Sequence, residues 1–372
     1  MTAEGPCYLD HNATTPLRAE AAQAVSGALA QPGNPSSVHA FGRAARRIVE
    51  DARRQVAALA AVPSDAVLFT SGGTEANNLA LRGCGRRRIL ASAVEHPSVL
   101  EAADGIETIP VDGDGIVDLD ALAAMLRDGD APAIVSVMLA NNETGAIQPV
   151  AEAAAIAHAN GALFHCDAVQ AAGRLPLDFG ALGADMMTLS AHKIGGPKGS
   201  GALIVRDSVH LAALIRGGGQ ERGRRSGTEN VPGIAGFGAA SALAVAGIEE
   251  ARGFAGLRDR LEDCILREVP SARIAGAGAE RLPNTSCIAL PGVSAETQVM
   301  ALDLAGFAVS AGSACSSGKV RTSHVLRAMG LVDEIAACTI RVSLGHGNGA
   351  ADIEAFVAAY AEFAARAGSP AA

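Results

Sequence analysis

The chain has no tryptophan and only two tyrosines, so its near-ultraviolet signal is weak and the colour of a bound cofactor would stand out. Long basic runs are missing. Arg86 to Arg88 is the densest, and the 372 residues carry a net charge of -9, which argues against a nucleic-acid partner. No apolar stretch has the strength of a membrane span. The longest uncharged run, Val231 to Ile248, is mostly Ala, Gly and Ser with one Pro and reads as a packed interior helix. Met1 to Leu9 lacks the charged start and apolar stretch of a secretory signal. The seven cysteines are scattered and form no C-x-x-C pair. That pattern argues against a disulfide framework and a zinc site, and predicts a reducing, cytoplasmic setting.

Lysine is nearly missing as well. Of 30 basic residues only Lys193, Lys198 and Lys319 are lysines. Genomic drift towards arginine accounts for the bias, but any chemistry that needs an amine nucleophile has three candidates.

Apolar residues make up 49% of the chain and charged residues 19%, enough for a large core in roughly two domains. Ala66 to Thr70, Arg88 to Ser92, Ala133 to Met138, Leu163 to Asp167, Met186 to Ser190 and Gly201 to Val205 read as strands that are apolar on both parities. Helical stretches lie between them at Thr74 to Arg82, Ser98 to Ala103, Leu119 to Leu126 and Val150 to Ala159. The alternation predicts an α/β fold with a mainly parallel sheet, whose ligands sit beyond the carboxyl ends of the strands. One long helix is expected after Pro232 and a second after Gly256. Beyond Pro283 short strands (Cys287 to Leu290, Ile340 to Ser343) and helices (Glu296 to Ala305, Asp352 to Arg366) predict a smaller α+β domain joined by the N-terminal segment.

The strand ends carry the candidate chemistry. Ser71-Gly72-Gly73-Thr74 turns from a strand into a helix; it reads equally as an ordinary helix start or as a phosphate cradle. His96 follows the next strand, and a lone histidine there is commonly structural. Asn141-Asn142 reads first as a turn. Asp167 ends an apolar strand, where a carboxylate needs a cation or several donors; a helix N-cap is the alternative. Lys193 follows another strand end, where a lysine is by default a surface residue; beside an acid it could condense with an aldehyde cofactor. Lys198 reads as a solvated loop charge. The Gly217 to Asn230 loop is cationic and glycine-rich, either a solvated connection or an anion contact across a subunit boundary. Cys315 stands among small, flexible residues, with Lys319 and Arg321 near enough to favour its thiolate. Arg341 is a charge inside a predicted strand and needs a partner such as a substrate carboxylate.

A phosphate turn, a strand-end Asp and a strand-end Lys on one sheet edge are the parts that pyridoxal 5'-phosphate (PLP) needs. The chain resembles the cysteine desulfurases of the NifS/IscS type, in the class V aminotransferase group of fold-type I PLP enzymes. The resemblance rests on Tyr8 to Pro16, Gly33 to Ser37, Ser71 to Asn78, Glu95-His96, Asn141 to Gly145, the stretch around Asp167, Ser190 to Gly199, Arg225 to Asn230 and Gly312 to Ser317. It implies a PLP-binding large domain of the seven-stranded type over 17–255, with 1–16 plus 256–372 forming a smaller domain that carries a mobile cysteine loop.

The resemblance also implies roles. Lys193 binds PLP covalently, Asp167 pairs with the pyridine nitrogen, His96 stacks on the ring, and Gln170 bonds the ring hydroxyl. Gly73, Thr74, Ser190 and His192 hold the phosphate, with Thr228 reaching in from a second subunit. Asn142 and Arg341 fix the substrate carboxylate, and Cys315 is the nucleophile. The implied substrate is L-cysteine, and the implied partner is a sulfur acceptor or iron–sulfur scaffold protein. A homodimer is implied, as is the absence of a resident metal, with Cys315 at most a transient iron–sulfur ligand.

Overall fold

In the computed structural model, which describes residues 5–129, 131–312 and 322–367, seven strands form one sheet. Their order is Val67–Thr70, Gly201–Val205, Met186–Ser190, Leu163–Asp167, Ala133–Ser136, Arg88–Ser92 and Glu107–Ile109. Gly201–Val205 runs antiparallel to both neighbours, and every other pairing is parallel. The middle strands are buried on both parities, as a sheet covered on both faces requires. One apolar cluster, including Val135, Phe164 and Ile204, lies on one face. A second, with Leu79, Ile134 and Leu203, lies on the other.

Helices Ala19–Leu29 and Ala40–Leu59 pack against Val231–Ala246. Gly238 permits the close approach, because a Cβ there would stand 2.6 Å from the backbone Cα of Ala52. Among the described residues no single helix is long and apolar enough to cross a membrane. The next helix, Ile248–Glu268, is bent by 67° from its predecessor. It starts earlier than expected and runs unbroken through Gly253 and Gly256. Those two glycines are exposed and cost about 1 kcal/mol each relative to alanine. Burial of Ala251, Leu261 and Ile265 on the other side holds the helix.

A further apolar cluster gathers Leu9, Leu261, Ile288, Phe307, Ile340 and Phe356. It lies against the small sheet that pairs Thr285–Ala289 with Thr339–Ser343. Cys7–Tyr8 pairs in parallel with Phe307–Ala308, and Asp10 bridges to Ser343. The N-terminal strand therefore carries His11, Asn12 and Ala13 to the place where the two sheets meet. The expected helix Ser98 to Ala103 shrinks to Pro97–Leu100, and the strand expected to reach Met138 ends at Ser136.

Candidate active site

Beyond the carboxyl ends of the central strands lies a cavity of about 350 Å³. It is lined by Gly73, Thr74, His96, Asn142, Asp167, Gln170, Ser190, His192, Lys193 and Arg341. Strand ends and the N-terminal segment thus bring together residues expected from far-apart motifs.

Asp167 closes the strand Leu163–Asp167 and is 7% exposed. Its Oδ1 accepts the Val169 amide at 2.9 Å, a capping contact, while Oδ2 accepts from Asn77 Nδ2 at 2.8 Å. Among the described residues no cation stands within ion-pair distance of it. Lys193 follows the strand Met186–Ser190 in a single tight turn, Ala191–Lys193. Its Nζ donates to the carbonyls of Asn12 and Ala13, the latter at 2.9 Å. Burial, then the charges of Arg341 and Arg174, push its pKa down to about 7, against the opposing pull of Asp10 and Asp167.

His96 caps the short Pro97–Leu100 turn, its Nδ1 accepting the Ser98 amide at 3.1 Å. In the neutral ring the proton therefore sits on Nε2. The ring is open to the solvent in the cavity, yet the surrounding protein lowers its pKa, desolvation first, with the Asp167 charge opposing. The paired asparagines divide their tasks. Asn141 makes the turn, its Oδ1 accepting the amides of Glu143 and Thr144 at 2.8 and 3.0 Å. Asn142 lines the cavity, and its carbonyl accepts from Arg341 Nη1 at 3.0 Å. Arg341, its side chain 3% exposed, pairs with Asp10 at 2.7 Å. Its Nε is buried and without a partner.

Helix Gly73–Gly83 begins at the cavity with no side-chain cap on its first amides. Gly73, Thr74, Ser190 and His192 share a pocket there with Lys198. Lys198, expected only as a loop charge, is exposed but stands at this cradle. His192 is neutral, its pKa pulled to about 4 by burial and by the two lysines. Thr228 is not in the cavity. It lines a separate pocket with Ser71 and Gly199, on a loop held by Glu221, whose carboxylate accepts from Arg53 at 2.6 and 2.8 Å. Cys315, Lys319 and Arg321 lie outside the described residues. The residues on either side, Gly312 and His324, both line the cavity, and Ser323 donates to the buried Glu143 at 2.6 Å.

Asn12, Asn77 and Arg174 are among the residues at the site to which the sequence assigns no role. Asn77 stands one turn after Thr74 on the helix Gly73–Gly83, and Arg174 four residues after Gln170 in a non-helical turn; neither spacing reveals the partner met across the fold.

The class V aminotransferase model matches residues 7–356, and the chain belongs to that family. It is 49% identical over 362 residues to a cysteine desulfurase from Cereibacter sphaeroides, covering 93% of this chain and 92% of the relative. It is 42% identical over 368 residues to an IscS-like cysteine desulfurase from Mycobacterium tuberculosis, with 94% and 93% covered. A NifS-like protein from Rickettsia africae superposes with a TM-score of 0.88 at 40% identity, covering 96% and 99%.

The family's cofactor is PLP, and the site fits it. Asp167 is a buried carboxylate that lacks a cation, which a pyridinium supplies. Lys193 is an amine made available near neutrality. The uncapped helix start suits a phosphate. PLP is the cofactor of this chain.

Proposed function

We propose that the chain is a cysteine desulfurase that converts L-cysteine to L-alanine and leaves the sulfur as a persulfide on Cys315. The observation that carries this reading is the presence of both Lys193 and Asp167 on the wall of one cavity, in a chain 49% identical to a cysteine desulfurase. Bound PLP supplies an electron-withdrawing ring that acidifies the Cα–H of the attached amino acid.

The chain's own residues do the rest. Lys193, with a pKa of about 7, takes the Cα proton and later returns one, since its free amine and its ammonium are both populated near neutrality. Asp167, held by Asn77 and the Val169 amide, keeps the cofactor nitrogen protonated. Arg341 has a buried Nε free for the substrate carboxylate. His96 offers its Nε2 proton at the cavity wall.

The Cys315 thiolate attacks the substrate Sγ. An S–S bond forms, the Cβ–Sγ bond breaks with its electron pair left on Cβ, and protonation there completes L-alanine. The sulfur is oxidised and Cβ reduced, so no outside oxidant is needed. Two molecules of an acceptor thiol return Cys315 to the thiol and release sulfide and a disulfide.

The reading extends to a homodimer, with Thr228 of one subunit serving the phosphate of the other, and to a cytoplasmic setting. It further extends to transfer of sulfur to an acceptor or iron–sulfur scaffold protein. The test is L-alanine and sulfide production from L-cysteine with a thiol reductant. Lys193→Ala is expected to abolish both. Cys315→Ser is expected to keep the yellow cofactor and release almost no sulfide. A Cys315→Ser protein with undiminished sulfide output removes the nucleophile assignment.

A further inference from the structure

Arg174 is a buried cation without an anion. It is 7% exposed. Its Nη1 donates to the Gln170 carbonyl at 2.6 Å and to Gln170 Oε1 at 2.8 Å, and its Nη2 to the His11 carbonyl at 3.3 Å. All three acceptors are neutral, and among the described residues no carboxylate lies within ion-pair distance. A guanidinium held only by neutral dipoles is expensive to bury. Burial lowers its pKa, but only to about 10, so it stays charged.

Two consequences meet at the cofactor site. A guanidinium only donates and a carbonyl only accepts. Gln170 must therefore turn Oε1 towards Arg174 and Nε2 towards the Asn12 carbonyl, 3.0 Å away. The carboxamide cannot flip, and it faces the cavity as a donor. Arg174 and Lys193 also share a small cavity of about 90 Å³ behind the site, with His11 and His346 on its wall. On the other side of Lys193 stand Asp167, His96, His192 and Arg341. Arg341 is balanced by Asp10 at 2.7 Å, and His346 faces Glu250 at 2.8 Å. Arg18 also lines the small cavity but is only half-buried; among the described buried arginines, Arg53, Arg174 and Arg341, Arg174 alone has no such balance. Its charge opposes a proton on Lys193, alongside burial and Arg341.

We propose that Arg174 is a positioning residue of the reaction, locking the Gln170 carboxamide as a donor and, from the cavity it shares with Lys193, adding its charge to the burial and the Arg341 charge that favour that lysine as the free amine. This rests on the reading of the site given above.

The test exploits the scarcity of lysine. Trace labelling of the cofactor-free protein with acetic anhydride, followed by peptide mass spectrometry, yields the pH at which Lys193 is half-reactive. The wild type is expected near pH 7. Arg174→Met is expected to raise that midpoint by about one pH unit, a tenfold loss of free amine below it. Arg174→Gln serves if Arg174→Met does not fold. Arg174→Lys keeps the charge and gives up the fork. It should leave the midpoint in place and weaken PLP binding about tenfold, as loss of a charged hydrogen bond does. An unmoved midpoint in the folded neutral variant overturns the proposal, as does unaltered PLP binding in Arg174→Lys. A purely structural role lowers the melting temperature of the variants and moves neither readout. A wild type that binds no PLP overturns the functional reading, while the Lys193 midpoint still decides the role of Arg174.

Discussion

Asn77 Nδ2 lies 2.8 Å from Asp167 Oδ2, and the same amide nitrogen donates to Ser98 Oγ at 2.9 Å. Ser98 Oγ in turn stands 2.7 Å from His96 Nδ1. One side chain on the first turns of a helix thus ties together the Asp167 carboxylate and the imidazole at the cavity wall.

Asn77→Ala is expected to weaken PLP binding and to lower kcat/KM by about 10- to 100-fold, the range for removing a buried hydrogen bond to a charged group. Equilibrium titration of cofactor-free protein with PLP and steady-state alanine formation measure both effects. Asn77→Asp should be worse, since it sets a second carboxylate against Asp167. PLP affinity equal to wild type in both variants would show that Asp167 is held without Asn77.

The reactive form of Lys193 is the neutral amine. With its pKa at about 7, the rate at which PLP becomes covalently attached should rise tenfold per pH unit below 7 and level off above it. An ordinary lysine would keep rising towards pH 10. Stopped-flow absorbance from pH 5.5 to 9.5 distinguishes the two shapes. Lys193→Ala should leave PLP washable by gel filtration.

Three histidines, His11 and His165 buried and His192 half-buried, set an acid limit on the cofactor-free protein. Burial, as the first cause for each, lowers His11, His165 and His192 from 6.5 to about 4. Between pH 6.5 and about 4 the unfolded chain binds protons at these three histidines that the folded chain refuses; Glu95 and Glu143, raised by burial, act the other way, and with three groups against two stability rises with pH across that window and is lost on acidification. His165 sits between Ser136 Oγ and Thr188 Oγ1, each at 2.9 Å. Urea midpoints at pH 4.5, 5.5 and 6.5 should fall steadily towards acid, and His165→Gln should flatten the slope by about one proton. An unchanged slope would place the acid sensitivity elsewhere.

Gly238→Ala should destabilise the protein. Alanine gains about 1 kcal/mol of helix propensity over glycine, but its Cβ would meet the Ala52 backbone at 2.6 Å. Overpacking of this kind costs about 1–3 kcal/mol: the end of the Gln55 side chain can move aside, but the Ala52 backbone of the facing helix cannot. A lowered melting temperature is expected; a raised one would mean the helices separate freely.

Much of this architecture was readable as sequence. Arg88–Ser92, Leu163–Asp167, Met186–Ser190 and Gly201–Val205 occur at their expected bounds, because strands buried on both faces leave unbroken apolar runs. Glu107–Ile109 is a three-residue edge, too short to leave such a run. Ala40–Leu59 went unread because its buried stripe is mostly small: Ala45, Val49, Ala52 and Val56 among five arginines. Lys193 and Asp167 are legible in combination: alone the lysine reads as a surface residue and the carboxylate equally as a helix cap, but with a phosphate-type turn on the same sheet edge they are the parts PLP needs. Asn77 and Arg174 are not. Asn77 meets Asp167 across 90 residues of chain, and Arg174 reaches His11 across 163. Only the folded chain shows those meetings.

The central claim is that a covalently held amino acid gives up its sulfur to one particular thiol. Peptide mass spectrometry of the protein after brief exposure to L-cysteine, without reductant, tests it most directly. One added sulfur on the peptide containing Cys315, absent in Lys193→Ala, is the expected result. Alanine formed while the sulfur appears on another of the seven cysteines, or on none, would contradict it.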